Sequence, residues 1–281
     1  MSETTHLSPI QTVEGEHATF AYRRSGPQGR TPLVLLTRFR GTIDDWDPAL
    51  INALARNHDV ITVDNIGTGH TTGTPRDSMD GFATGIMEFI TALGLEQVDL
   101  LGWSLGGAVA QFIVDARPDL VRRVVVAAST PGLVPSAPEP DPRAVEIQLS
   151  SAATAEDMEF LFYPDTDAGR ASARESAVRI EAARPSGSIP VTDDVAMLQL
   201  MAAGGAYEVN VEDLIARLGR ISQPALFANG MQDVGIPALA SYFAGSHAPN
   251  STVLLYHDAG HAFLFQHAER FASEVKLFLE D

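Results

Sequence analysis

Cysteine is missing from this 281-residue chain. That absence excludes disulfides, a thiolate nucleophile and thiolate metal ligation, while leaving the redox compartment open. Basic side chains are scarce as well: 19 lysines and arginines stand against 36 acidic residues, a formal charge of -17. With no basic cluster to offset it, such a surface repels nucleic acid and anionic membranes. No apolar stretch reaches the 18 or more residues that a membrane span requires. Met1 to Pro9 lack a positively charged segment followed by an apolar one, so a secretory signal is not expected and the cytoplasm is the expected location. Internal repeats and low-complexity tracts are absent too. What is present suits a packed globule: 45% apolar residues, and 17 prolines spread along the chain instead of gathered in a linker. The length fits one large α/β domain or a core carrying an insertion.

The stretch around which the chain is organised is Gly102-Trp103-Ser104-Leu105-Gly106. A strand-like run, Gln97 to Leu101, precedes it, and a helix-like run, Leu105 to Ala116, follows. Strand, glycine-flanked serine and helix together make the sharp turn that holds a serine oxygen clear of the backbone.

Read in order, His17 to Arg24 alternates loosely as an early strand, and Leu33 to Leu36 is a short apolar run expected to be buried on both faces. Asp47-Pro48 predicts a helix cap, with a helix to about Arg56. Further strands are expected at Asp59 to Asp64 and Arg123 to Ala128, with a helix at Met79 to Leu93 between them. This alternation predicts an α/β fold with a mostly parallel sheet flanked by helices. Beyond residue 129 the rhythm changes. Five prolines between Pro131 and Pro142 lead into helical stretches near 143–153, 155–162, 168–183 and 193–203. Strands resume at Ala225 to Asn229 and Thr252 to Tyr256, and a last helix covers about Gln266 to Leu279. The expected organisation is therefore a core of residues 1–129 and 223–281 with a helical cap insertion at 130–222. Met158, Phe160, Leu161, Phe162 and Tyr163 either line a pocket or hold the insertion to the core.

A serine hydroxyl needs a base to take its proton and an acid to orient that base. His261 follows the last strand in a glycine-containing loop, and Asp233 follows the preceding strand. In a parallel sheet both loops emerge at the edge where Ser104 lies, and the order serine, aspartate, histidine is the one this turn requires. Asp258 is a rival acid, but its place at the start of the histidine's own loop suits backbone capping better. His257 and His261 do not share a helix face, so no metal site is expected. No cofactor is implied either.

In these motifs the sequence resembles the α/β-hydrolase superfamily over nearly its whole length. The resemblance extends to Asp64 with Gly67-Thr68-Gly69, to Trp46, to Asn229-Gly230 with Asp233, and to Asp258-Ala259-Gly260-His261. It implies an oxyanion hole made by the backbone N–H groups of Phe39 and Leu105. One departure stands out: most members have His-Gly after the third strand, where this chain has Thr37-Arg38. Arg38 and Arg40 either pair with nearby carboxylates such as Asp44 or Asp45, or hold an acidic substrate group. The implied activity is hydrolysis of an ester or lactone of a small to medium, largely apolar substrate, with Arg38, Trp103, Phe160 and Phe162 as candidate substrate contacts. Rivals are a haloperoxidase or cofactor-independent dioxygenase, a C–C bond hydrolase, and a non-catalytic small-molecule receptor. The sequence does not set the oligomeric state, and a homo-oligomer stays among the alternatives.

Overall fold

Alternate residues of the apolar runs go to opposite sides of one sheet, because successive strand side chains point to opposite faces. Val34, Leu36, Ile61, Val63, Leu100 and Val126 join one buried cluster; Leu33, Leu35, Val60, Leu101 and Val125 join the other. In the computed structural model, which describes residues 7–207 and 209–280, these runs are strands. The chain forms β1 (Gln11–Glu14), β2 (Thr19–Ser25), β3 (Leu33–Leu36), α1 (Pro48–Ala55), β4 (Val60–Val63), α2 (Met79–Ala92), β5 (Val98–Trp103), α3 (Leu105–Ala116) and β6 (Val121–Ala127). Helices then follow without a strand: α4 (Pro142–Leu149), α5 (Ala155–Phe162), α6 (Asp167–Ala183), α7 (Asp193–Tyr207) and α8 (Val211–Gly219). The chain closes with β7 (Ala225–Gly230), α9 (Ala238–His247), β8 (Ser251–Tyr256), α10 (Phe263–Gln266) and α11 (Ala268–Glu280).

The sheet runs β1-β2-β4-β3-β5-β6-β7-β8. β1 and β2 are antiparallel to their neighbours, and every pairing from β4 to β8 is parallel. Helices α2, α3, α8 and α9 bury side chains on one face, while α1, α10 and α11 do so on the other. This is the mostly parallel sheet flanked by helices that the strand–helix alternation predicts, in the α/β-hydrolase arrangement that the motif resemblance implies. The C-terminal helical segment differs from expectation by starting earlier, with the short α10 placed directly after His261. No helix among the described residues is long and apolar enough to cross a membrane.

In the helical segment between β6 and β7, α6 reaches the core through specific polar contacts. Asp47 caps α1 by accepting from Ala49 N at 2.9 Å, and its buried carboxylate also takes Ser176 Oγ at 2.7 Å and a two-pronged bond from Arg179. One carboxylate therefore starts a core helix and fastens α6 to it. At the opposite end of the same segment, α8 buries Leu214 and Leu218 in the cluster that holds Ala225 and Phe227 of β7. A capping box at Thr154 and Asp157 starts α5.

Candidate active site

Ser104 lies between β5 and α3 with φ 56° and ψ -117°, a conformation that side chains rarely adopt. Main-chain bonds hold it there. Its N–H donates to Ala127 O at 2.9 Å, and its carbonyl accepts from Ser129 Oγ at 2.7 Å and Gly107 N at 2.9 Å. The glycines serve close approach: a Cβ on Gly106 would run into the Leu36 carbonyl, and one on Gly102 into the carbonyl of Gly106. Ser129 and the left-handed Ala128 at the end of β6 complete this support. Neither carries a motif that would single it out in the sequence.

His261 and Asp233 meet although they are 28 residues apart. His261 Nδ1–H donates to Asp233 Oδ2 at 2.7 Å, and both side chains are buried. The other oxygen, Oδ1, accepts from Gly235 N at 2.9 Å and Ile236 N at 2.8 Å. Both carboxylate oxygens are thus committed, and the imidazole is left with Nε2 as its free nitrogen. Asp258 lies apart from this group, with its Oδ1 3.0 Å from His267 Nε2.

Aromatic rings wall the histidine. Phe162 stacks on the imidazole at 5.6 Å and 17°. Trp103 donates its Nε1–H to His261 O at 3.1 Å and packs edge-on against Phe265 at 4.8 Å. Trp46 packs against Trp103 in turn. Because Ala262 N also donates to Phe162 O at 2.9 Å, the end of α5 is bound to the histidine loop by main chain as well as by stacking.

Ser104 and His261 line one cavity of about 170 Å³, with Arg38, Phe39, Arg40, Ile147, Met158, Leu161 and Phe162 among its walls. Among the described residues no hydrogen bond joins Ser104 Oγ to His261; such contacts often tighten only when substrate is bound. A larger cavity of about 490 Å³ shares Arg38, Met158 and Phe162 with the first and is also lined by Trp103, Tyr163, Ile180 and Phe265. Phe160 requires a correction. It lies under the Arg143 guanidinium at 4.3 Å and lines neither cavity, because α5 turns it to the other side from Phe162.

The expected pairing with Asp44 or Asp45 is corrected for Arg40, and for Arg38 it is reduced to the electrostatic pull of Asp45 without an ion pair. Asp44 is taken by Arg23 at 2.6 Å, and Asp45 by Arg184 at 2.9 Å. Arg40 pairs with Asp193 of α7 at 2.7 Å, and its left-handed main chain donates its N–H to Gln199 Oε1 at 2.9 Å. Helix α7 thereby grips the loop after β3 at two points. The N–H groups of Phe39 and Leu105 have no internal acceptor among the described hydrogen bonds. For Leu105 this follows from its place as the first residue of α3.

Asp64 steadies the same loop from below, accepting from Ile43 N at 2.8 Å and His70 N at 3.0 Å. Burial pushes its carboxyl up to about 7, against the pull of those two hydrogen bonds, with Asp44 and Asp45 adding to the rise. Between the ordinary carboxyl value of about 4 and this raised value, the folded state holds a proton that the unfolded chain has released. Asp64 therefore contributes stability that is fully present below about pH 4 and is lost as pH rises towards 7, at up to about 1.4 kcal/mol per pH unit. Asp64→Asn is expected to flatten that part of the profile. Urea unfolding of both proteins across the window checks it, and parallel profiles would refute it.

Comparison with known proteins agrees with this architecture. A family model described as the alpha/beta hydrolase fold matches residues 31–268. A non-heme chloroperoxidase from Streptomyces lividans is 28% identical, over 98% of this chain and 100% of that protein. A pimeloyl-[acyl-carrier protein] methyl ester esterase from Nitrosomonas europaea is 27% identical over 81% of this chain and 87% of its own length. Among solved structures, an alpha/beta hydrolase fold protein from Chitinophaga pinensis superposes with a TM-score of 0.87 at 26% identity, covering 99% of this chain and 100% of that one. With the strand order, the strained turn at Ser104 and a family match spanning most of its length, the chain belongs to the alpha/beta hydrolase fold family.

Proposed function

We propose that the protein is a serine hydrolase that cleaves an ester or lactone of a small to medium, largely apolar substrate through an acyl-enzyme. The observation that carries this reading is the joint placement of Ser104 and His261 on one buried cavity, with the imidazole held at 2.7 Å by Asp233. In this reading Ser104 Oγ attacks the substrate carbonyl while His261 Nε2 accepts its proton. Asp233 keeps Nδ1 protonated and stabilises the imidazolium that forms. The negative charge that develops on the carbonyl oxygen is met by the N–H groups of Phe39 and Leu105, donors with no acceptor among the described hydrogen bonds. His261 returns the proton to the leaving alcohol. It then activates water, which releases the acid and restores Ser104.

The helical segment of residues 130–222, α4 to α8, acts as the cap in this proposal. Ile147, Met158, Leu161 and Phe162 give the cavity its apolar wall, and Trp103 and Arg38 line its extension. That lining favours an acyl group of modest size over a polymer. The relative named a chloroperoxidase favours a second reading, oxidative halogenation. The test is turnover of a panel of p-nitrophenyl esters, lactones and amides, run beside halide with hydrogen peroxide. Hydrolysis of esters or lactones is expected. Halogenation with no acyl cleavage would sink the hydrolytic reading.

A further inference from the structure

Arg38 is a buried cation with no ion pair of its own among the described residues; the opposing charge that acts on it is Asp45. Its Nη1 donates to the carbonyl of the next residue, Phe39, at 2.7 Å, and its Nε is buried with no partner. No carboxylate lies within ion-pair distance of it among the described residues; Asp44 is bound to Arg23, and Asp45, whose charge reaches Arg38, is bound to Arg184. The guanidinium carbon lies 5.0 Å from the ring centre of Phe162 and 5.6 Å from that of Trp103. Such ring contacts offset part of the penalty of burying a charge. The desolvation cost of a buried ion without its own ion pair exceeds what such ring contacts return, so a deficit remains. Arginine cannot escape it by losing its proton.

The place of this charge is specific. Arg38 belongs to both cavities, with Met158 and Phe162 as the other shared walls. It therefore stands where the cavity of Ser104 and His261 opens towards the larger chamber. A substrate with its acyl carbon at Ser104 passes the guanidinium before its remainder reaches that chamber. The chamber is also lined by Asp45, whose charge acts on Arg38 and is itself bound by Arg184, and by Glu156, Glu159, Glu181 and Arg174. An anionic group is better placed at Arg38 than deeper in.

We propose that Arg38 anchors a carboxylate carried by the substrate, so that the preferred substrates are hemiesters or related acyl compounds with a free acid a short chain from the scissile carbonyl. The inference deepens the serine-hydrolase reading and rests on it for where the acyl group sits. It also agrees with the departure at Thr37-Arg38: an anchor is gained on the loop that supplies Phe39 N–H.

Binding and turnover are tested apart. Ser104→Ala protein is titrated calorimetrically with monomethyl glutarate and with its neutral counterpart, methyl glutaramate. The acid is expected to bind at least about ten-fold tighter, the loss of one charge-assisted hydrogen bond being worth about 1.5–3 kcal/mol. Adding Arg38→Gln is expected to erase the difference, and Arg38→Lys to keep part of it. Equal affinity for acid and amide in the Ser104→Ala protein overturns the proposal without need of any Arg38 variant, as does a preference that survives Arg38→Gln. Because no turnover is required, failure here is distinct from failure of the hydrolase reading, which would appear as no cleavage of any ester by the unaltered enzyme.

Discussion

Ser104→Ala is expected to lower kcat on an activated ester by about 10⁵–10⁶-fold while leaving the fold intact. The expectation of an intact fold comes from the way the turn is held: Ala127 O, Ser129 Oγ and Gly107 N all bond the main chain of Ser104. Alanine keeps the Cβ and hence the strain at φ 56°. Ser104→Gly should be equally inactive but behave differently in stability. A residue in so sparse a region stores on the order of 1–3 kcal/mol. Glycine relieves that strain, against about 0.5–1 kcal/mol of added chain entropy in the unfolded state. The glycine variant should therefore be about 1 kcal/mol more stable than the alanine variant by urea unfolding. A glycine variant less stable than alanine would mean that the turn is not strained.

Asp233→Asn should lower kcat/KM by about 10²–10⁴-fold, again with the fold retained. The direction follows from the two amides on Oδ1. Gly235 N–H and Ile236 N–H both need an acceptor, so the asparagine oxygen turns to them and its NH₂ faces His261. Facing a donor, Nδ1 must give up its proton, and the proton moves to Nε2. That nitrogen can then no longer accept from Ser104. Asp258→Asn should cost much less, since its carboxylate meets His267 instead. Near-normal activity in Asp233→Asn beside collapse in Asp258→Asn would move the acid to the histidine's own loop.

Local patterns made much of this legible. Leu33 to Leu36 and Leu105 to Ala116 are found with the limits their apolar run and glycine–proline punctuation predict. β1 was not legible, because Gln11–Glu14 has little apolar content and is mostly exposed; its pairing with β2 alone makes it a strand. Helix α9 carries little sequence signal for a related reason: Ala238–His247 is rich in small residues, and its burial against β7 and β8 is set by tertiary packing. The partners of buried charges were the least legible of all. Asp47 finds Arg179 at a separation of 132 residues, and Arg40 finds Asp193 at 153. Nothing local distinguishes those pairings from the nearer ones with Asp44 and Asp45. The position of Gln199 on the loop of Phe39 was hidden for the same reason. Phe160 and Phe162, two apart on α5, could not be separated into outer and cavity faces until the helix was placed against the histidine loop.

The central claim is that Ser104 is the nucleophile, activated by His261. Its most direct test is reaction of the folded protein with a fluorophosphonate, followed by peptide mass spectrometry. A single adduct is expected on the peptide carrying Ser104, lost in Ser104→Ala and strongly slowed in His261→Gln. An adduct on another serine, or labelling that persists in Ser104→Ala, would contradict the account.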